Sequence, residues 1–222
     1  MDFRKAMEER HSVRQYDPDK ALAGETLAAL RNAVEEVNRE SGLRVQLIVG
    51  EPRAFSGFLA HYGKFSGVRN YLAMVGEKGK ETEEAVGYYG EKLVLTAACL
   101  GLNTCWVALT YKKIPGVISV GEGEKLFCVI SVGYGMNRGT PHRSRSAFEI
   151  GGVTQESPAW YREGAKAALL APTAVNQQKF RFRLSGDKVE AKAGSGALTR
   201  MDLGIAKLHF ELGSGRGREI WA

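Results

Sequence analysis

Two near-continuous apolar runs constrain the fold of this 222-residue chain most strongly: TCWVAL at residues 104–109 and LFCVISVG at residues 126–133. Both have strand length, and neither shows the alternation of apolar and polar residues that a half-exposed strand requires. Such runs are typical of strands that are buried on both faces of a sheet. We therefore predict a central sheet that helices cover on both sides.

The apolar spacing predicts helices of useful length on either side of these strands. Between residues 25 and 39, Leu27, Leu30, Val34 and Val37 recur every three or four positions and form one apolar stripe. The longest predicted helix covers residues 83–100, and Gly101 is placed to end it. Shorter helices are predicted at residues 2–9, at 157–170 with a Ser157 cap and Pro158 at the first position, and at 199–213 with a Thr199 to Asp202 capping box and Gly213 at the end.

Further strands are predicted from LRVQLIVG and YLAMVG, and a hairpin from KFRFRL and DKVEA with Ser185 and Gly186 between them. Helices and strands do not alternate strictly, which favours an α+β fold over a parallel α/β fold. The turn-rich segment at residues 134–152 predicts a boundary between an N-terminal half, 1–150, and a C-terminal half, 151–222.

Composition narrows the class of protein. The formal charge of +6 is spread along the chain and is not concentrated among aromatic residues, which argues against a nucleic-acid-binding protein. No window is long and apolar enough for a membrane helix, and the charged N-terminus does not resemble a signal peptide. Cys99, Cys105 and Cys128 lie in apolar runs, so we expect buried, reduced thiols and a cytoplasmic protein.

The sequence RHSVRQY contains a candidate anion site. Arg10, Ser12 and Arg14 occupy alternate positions, so an extended backbone directs the three side chains the same way. Guanidinium groups match the oxygens of a phosphate, and the Ser12 hydroxyl adds another donor. The simpler interpretation is a solvated polar turn.

A second candidate is the loop APTAVNQQKF at residues 171–180, which places two amides, Asn176 and Gln178, just before a strand. Such a loop is typical of a ligand contact, although an amide pair also commonly satisfies the backbone of a turn. By contrast, His61 and His142 are expected to be solvated, and His209 is expected at a helix surface or interface.

Taken in order, RHSVRQY, the helix ending in GLNT, the strand ending in GYG and the basic HRSR segment resemble the FMN-dependent nitroreductase family over most of residues 1–149. The loop APTAVNQQKF resembles the Ala-Pro-Ser-x-x-Asn-x-Gln-Pro-Trp loop of that family, with Lys179 and Phe180 replacing its Pro and Trp, and Asn103 replaces a glycine in GLNT. In typical members that loop follows the first long helix and reaches the flavin of a partner subunit. Its late position here implies that one chain supplies both contributions, as an internal pseudo-dimer.

The resemblance implies a nitroreductase-like fold with a mixed or antiparallel central sheet, and it assigns residues to FMN. Arg10 and Arg145 are expected at the phosphate with Arg143 in support, and Ser12 at the phosphate or the ribityl chain. Arg14 is expected at the ribityl chain or the pyrimidine edge, and Lys64 and Asn70 near that edge. A backbone N–H from the Trp106, Val107 and Ala108 segment is expected at the reactive N5 atom, and no side chain is expected to act as a catalytic acid. Thr173 and Asn176 are expected to contact the flavin from the C-terminal half, with Gln178 bracing the loop.

The implied function is hydride transfer from NADH or NADPH through FMN to a small electron-poor acceptor such as a nitroaromatic or a quinone. The alternative is a redox-silent flavin- or ligand-binding module on the same fold. Neither nucleic acid nor membrane is an expected partner. The chain is expected to act as a monomer with an internal pseudo-dimer or as a homodimer.

Overall fold

The structure is a computed structural model that describes all 222 residues. It confirms an α+β fold with six strands, four of them in one antiparallel sheet and two in a separate hairpin. The helices are α1 (Phe3–Glu9), α2 (Gly24–Ser41), α3 (Phe58–Tyr62), α4 (Lys80–Cys99), α5 (Ala147–Gly151), α6 (Ala159–Ala168) and α7 (Thr199–Ser214). The strands are β1 (Gln46–Ile48), β2 (Tyr71–Glu77), β3 (Asn103–Val107), β4 (Glu124–Gly133), β5 (Phe180–Ser185) and β6 (Lys188–Ala193).

The chain forms two compact units that are not contiguous in sequence. The first comprises Met1 and residues 10–82 and 93–141, and the second comprises residues 2–9, 83–92 and 142–222. The central part of α4 therefore belongs to the second unit and its ends to the first. The division into domains 1–150 and 151–222 stays a prediction.

The first unit contains the four-stranded sheet, in the order β1-β2-β4-β3 with every neighbouring pair antiparallel. The apolar runs that predicted buried strands are β3 and β4. Val129 belongs to a core cluster with Tyr71 and Cys105, whereas Val132 packs in another with Leu30 of α2. Because alternate residues of a strand point to opposite faces, β4 is covered on both sides, as predicted.

A Schellman motif ends α4, and it confirms the predicted role of Gly101. Gly101 has a left-handed φ of 76°, its N–H donates to the carbonyl of Ala98, and the N–H of Leu102 donates to that of Ala97. The chain can therefore reverse directly into β3.

In the second unit β5 and β6 pack against α7, and α7 packs against α6, around a cluster of rings. Phe182 and Trp221 both contact Phe210, with ring centroids 4.9 and 5.4 Å away. Gly164 of α6 permits this arrangement, because a Cβ atom there would lie 2.6 Å from the ring of Phe210. The hairpin is confirmed, but its turn consists of Gly186 and Asp187, since Ser185 pairs with Lys188.

Two predicted helix caps are wrong. The Ser157 hydroxyl accepts a hydrogen bond from the N–H of Thr154 instead of capping α6. At α7 the N-cap is Leu198 in a left-handed conformation, without a side-chain cap, and the helix continues past Gly213 to a left-handed Gly215. The carboxylate of Asp202 binds another loop, and this tertiary use replaces the predicted capping box.

The expected positions of one histidine and one cysteine are also wrong. His209 is fully buried, with Nε2 3.0 Å from Oε1 of Glu91 and Nδ1 3.2 Å from the carbonyl oxygen of Ala167. Burial is tolerated because both ring nitrogens meet oxygen atoms. Cys99 is exposed, whereas Cys105 and Cys128 are buried, and none of the three forms a disulfide. None of the helices is long and apolar enough to cross a lipid bilayer.

Candidate functional site

The segment that contains Arg10, Ser12 and Arg14 runs extended beside β3 in the first unit. Ser12 forms a parallel bridge with Thr104, and the N–H of Val13 donates to the carbonyl of Thr104 at 3.0 Å. Val13 is fully buried, Ser12 is half-buried and Arg14 is exposed. Backbone pairing to β3 thus fixes which side chains face outward.

The three predicted residues of this segment converge on one thiol. Burial raises the pKa of the Cys105 thiol, and Arg14, a hydrogen bond with Ser12, and Arg10 act on that pKa in the opposite direction. The structure therefore brings the two guanidinium groups and the hydroxyl to one locality. Cys105 was predicted only as a buried thiol.

Arg10 contains a buried hydrogen-bond donor without a partner. Its Nε atom is inaccessible to solvent and meets no acceptor. A buried donor left unsatisfied costs about 1–3 kcal/mol, and the penalty is larger for a charged group. Such a donor is chemically suited to an anion.

Tyr16 and Ser131 hold the segment in place through hydrogen bonds, and no local sequence pattern predicts either role. The Tyr16 hydroxyl donates to the carbonyl of Val13 at 2.7 Å and lies 2.8 Å from Oγ of Ser131. Ser131 Oγ in turn donates to the carbonyl of Cys105 at 3.3 Å. Burial is the main cause of the raised pKa of Tyr16, so the phenol stays neutral.

Lys64 and Asn70 differ in the solvent exposure and hydrogen bonding of their side chains. Lys64 is exposed and has a left-handed φ of 61°. Asn70 is buried, and its Oδ1 atom accepts from the N–H of Gly50 at 3.1 Å. Asn70 lines a cavity of about 120 Å³ together with Arg69 and Tyr134. Its amide therefore supports the loop after β1, and contact with a ligand stays a prediction.

At the end of β3, residues 106–108 were predicted to contribute a main-chain N–H rather than a side chain. Val107 is buried within the core, whereas Trp106 and Ala108 are half-buried. Asn103, at the position where the resembled motif has glycine, accepts the N–H of Gly135 at 3.0 Å through Oδ1. The asparagine thereby joins the start of β3 to the chain that leaves β4.

The second group of predicted residues is assembled in the second unit, around the buried carboxamide of Gln178. Its Oε1 accepts the N–H of Arg145 at 2.9 Å, and its Nε2 donates to the carbonyl of Arg143 and to Oδ1 of Asn176, both at 2.8 Å. The N–H of Gln178 donates to Oγ1 of Thr173 at 3.1 Å. Gln178 thus fixes the loop against the segment that bears both arginines.

Asn176 is exposed, and Nδ2 of its side chain donates to the carbonyl of Arg143 at 2.9 Å. The side chains of Arg143 and Arg145 are exposed as well. The main chain around these arginines is therefore ordered while their guanidinium groups remain accessible to solvent. Phe180, where the resembled loop has tryptophan, is fully buried against Phe182 and does not belong to this exposed surface.

The loop contains unusual backbone strain. Val175, Asn176 and Gln178 have left-handed φ angles of 46°, 56° and 45°. For residues other than glycine such conformations cost of order 1–3 kcal/mol each, and they cluster at functional sites. Val175 is also 97% exposed, although it is β-branched and apolar. Both features are unfavourable for stability.

A family model described as "Putative TM nitroreductase" matches residues 2–214. The chain belongs to this family. The match covers both groups of predicted site residues in this nitroreductase-family chain, the group near Cys105 and the group around Gln178.

Solved structures agree on the fold. A structure from Thermotoga maritima, also described as a putative nitroreductase, superposes with a TM-score of 0.64 at 22% identity, over 96% of this chain and 83% of that one. A putative nitroreductase in complex with FMN from Desulfovibrio desulfuricans gives 0.53 at 17% identity, over 70% and 96%. A nitroreductase-like protein from Streptococcus mutans gives 0.54 at 14% identity, over 69% and 98%. No curated protein matches the sequence significantly.

Proposed function

We propose that this chain is an FMN-dependent oxidoreductase that takes hydride from NADH or NADPH and passes it to an electron-poor acceptor such as a nitroaromatic or a quinone. Within the chain, the observation that carries the proposal is the buried, unpartnered Nε of Arg10 beside Ser12 and Arg14. Family membership supports it, and so does the FMN in the related structure from Desulfovibrio desulfuricans.

The residues near Cys105 fit an FMN phosphate. A phosphate oxygen would satisfy the Arg10 donor, and a charge-assisted bond of this kind contributes roughly 1.5–3 kcal/mol. Ser12 would donate a further hydrogen bond, and Arg14 would add positive charge. Arg145, with Arg143 in support, is proposed to bind the same phosphate.

The loop of the second unit is proposed to contact the same flavin through Thr173 and Asn176. Gln178 would then act indirectly, because its carboxamide is already used by Arg143, Arg145 and Asn176. On this proposal one chain supplies both groups of residues, which is the internal pseudo-dimer. A homodimer would instead combine the two groups from different chains.

FMN, when bound, supplies the redox chemistry, since its ring accepts and donates hydride. The chain binds and orients it. The positive charges of Arg14 and Lys64 would stabilise negative charge near the pyrimidine edge, an effect that strengthens where water is excluded. A main-chain N–H of the segment 106–108 is proposed to face the reactive nitrogen, and Asn70 is proposed to lie near the pyrimidine edge.

A reconstitution experiment tests this function. The purified protein is incubated with FMN, freed of excess flavin, and treated anaerobically with NADH or NADPH before an acceptor is added. The proposal predicts a yellow protein that loses its visible absorbance with the reductant and regains it with the quinone. Failure to retain FMN would overturn the proposal, whereas retained flavin that neither reductant bleaches would support the redox-silent alternative.

A further inference from the structure

Asp202 is a buried carboxylate with two donors directed at it. It lies in the first turn of α7 and is 3% exposed. Oδ1 accepts the N–H of Ala174 at 2.9 Å, and Oδ2 accepts Nε2 of Gln177 at 2.7 Å. Both donors belong to the loop that contains Thr173 and Asn176. This single side chain therefore joins the loop to α7.

The loop needs such a connection because its backbone is strained. Strained φ and ψ angles persist only where several contacts with the surrounding structure hold them. Gln178 holds the end of the loop, through the main chain of Arg143 and Arg145. Asp202 holds its beginning. Val175, the exposed residue with a left-handed φ, lies between these two attachments.

We propose that Asp202 is the positioning residue of the loop, and that its carboxylate holds Ala174 and Gln177 so that Val175 and Asn176 are presented to the bound flavin. This inference rests on the proposed function for the identity of the ligand. It goes beyond that function because it assigns a role to a residue that does not itself contact the ligand. It also gives the exposed, strained Val175 a role as an apolar surface for the flavin.

The arrangement requires a carboxylate rather than an amide. Both oxygens of Asp202 face donors, so an asparagine would direct its own N–H2 group at Nε2 of Gln177 or at the N–H of Ala174. Gln177 cannot simply rotate its amide, because the same Nε2 also donates to the carbonyl of Ala197 at 3.0 Å. Either orientation of the asparagine amide, or rotation of the Gln177 amide, therefore places two donors or two acceptors together.

When the loop alone opens and Asp202 stays buried, the carboxylate loses its two hydrogen bonds but keeps the cost of burial, so protonation of Asp202 should loosen the loop in a similar way. Burial raises the pKa of this carboxyl group to about 6, and the hydrogen bonds from Ala174 and Gln177 act in the opposite direction. No cation contributes to that pKa; the ammonium group of Lys179, on the chain that enters β5, donates to the carbonyl of Ser195. A neutral carboxyl group has a proton on one oxygen and loses an acceptor there.

Amide exchange of the flavin-free protein tests the inference without any redox assay. At about pH 8 the wild-type carboxyl group is ionised, and Asp202→Asn should lower the exchange protection of Ala174 by about tenfold or more, since one charged hydrogen bond contributes over 1.4 kcal/mol. Near pH 5 wild type should approach the variant. Asp187→Asn removes the same charge from the exposed hairpin turn of the same unit and should change nothing.

FMN affinity provides the second measurement. Asp202→Asn should weaken FMN binding about tenfold near pH 8. The wild-type affinity should fall below about pH 6, whereas the variant affinity should stay level. Unchanged protection of Ala174 in the variant would overturn the inference, and so would unchanged FMN affinity in a variant whose loop has loosened. Should wild type bind no FMN while the exchange results hold, the proposed function and the ligand role of the loop fail together, but the attachment of the loop by Asp202 stands.

Discussion

Oε1 of Gln178 accepts a 2.9 Å hydrogen bond from the main-chain N–H of Arg145, which lies 33 residues earlier in the chain. The same carboxamide donates to the carbonyl of Arg143. Two segments that the sequence suggested separately, the basic segment and the amide-containing loop, are therefore parts of one hydrogen-bonded structure. The geometry of this structure depends on a side chain that is almost completely buried.

Gln178→Glu should destabilise this structure. The carboxylate can still accept from Arg145, but it can no longer donate to the carbonyl of Arg143 or to Asn176, and oxygen atoms then face oxygen atoms. The free energy of unfolding should fall by about 1–3 kcal/mol, measured by urea denaturation. Gln155→Glu, at an exposed position of the same unit, should have little effect. Equal losses for the two variants would contradict the assigned role of Gln178.

Arg10→Gln should distinguish a phosphate contact from a contact with the flavin ring. Removal of the buried guanidinium donor should weaken FMN binding by about 10- to 100-fold, which corresponds to the loss of one charge-assisted hydrogen bond. Riboflavin, which lacks the phosphate, should bind both proteins with similar affinity in a fluorescence titration. Arg31→Gln, on the exposed surface of α2 in the same unit, is the control. If Arg10→Gln weakened riboflavin binding as much as FMN binding, Arg10 would contact a part of the flavin other than the phosphate.

Val175→Gly should distinguish the effect of backbone strain on stability from the effect of ligand contact on FMN affinity. Glycine adopts the φ of 46° without a steric penalty, so thermal unfolding should show a stability that is equal to or greater than that of wild type. FMN affinity should nevertheless decrease, because the apolar side chain is lost. Val120→Gly, at an exposed site without a left-handed φ, should lower stability instead. If Val175→Gly left the FMN affinity unchanged, this result would contradict the proposed contact between Val175 and the flavin.

Asp202 should make stability depend on pH in a predictable direction. Burial raises its pKa from 3.8 to about 6, so the folded protein binds this proton more tightly than the unfolded chain does. The resulting stabilisation is complete below about pH 4 and is lost as the pH rises through about 6. Between these two pH limits, the free energy of unfolding of Asp202→Asn should therefore rise relative to that of wild type by of order 3 kcal/mol, at roughly 1.4 kcal/mol per pKa unit. A difference between the two proteins that does not vary with pH would contradict the raised pKa.

Local sequence patterns were sufficient for much of the fold. The stripe of Leu27, Leu30, Val34 and Val37 predicted α2, and Gly101 predicted the end of α4, because both effects depend on residues a few positions apart. The short helix α3 was not among the predicted helices. Five residues provide too little periodicity to detect it.

Tertiary contacts account for the failures. The Ser157 cap and the capping box from Thr199 to Asp202 were reasonable locally, but Asp202 accepts a hydrogen bond from Ala174, 28 residues away, instead. His209 was expected at a surface because its partner, Glu91, is 118 residues distant. In the candidate site, Arg10, Ser12 and Arg14 were found from their alternation, whereas Tyr16, Ser131 and Gln177 were not, since their roles depend on which segments meet in space.

The most direct test of the central claim is the visible absorbance spectrum of the protein after incubation with FMN and removal of free flavin. We predict that a single chain retains about one equivalent of FMN through a phosphate contact at Arg10, and that anaerobic NADH or NADPH abolishes the flavin absorbance. A protein that retains no flavin, or that retains it only in a dimer of chains, would contradict the claim that one chain supplies both halves of the site.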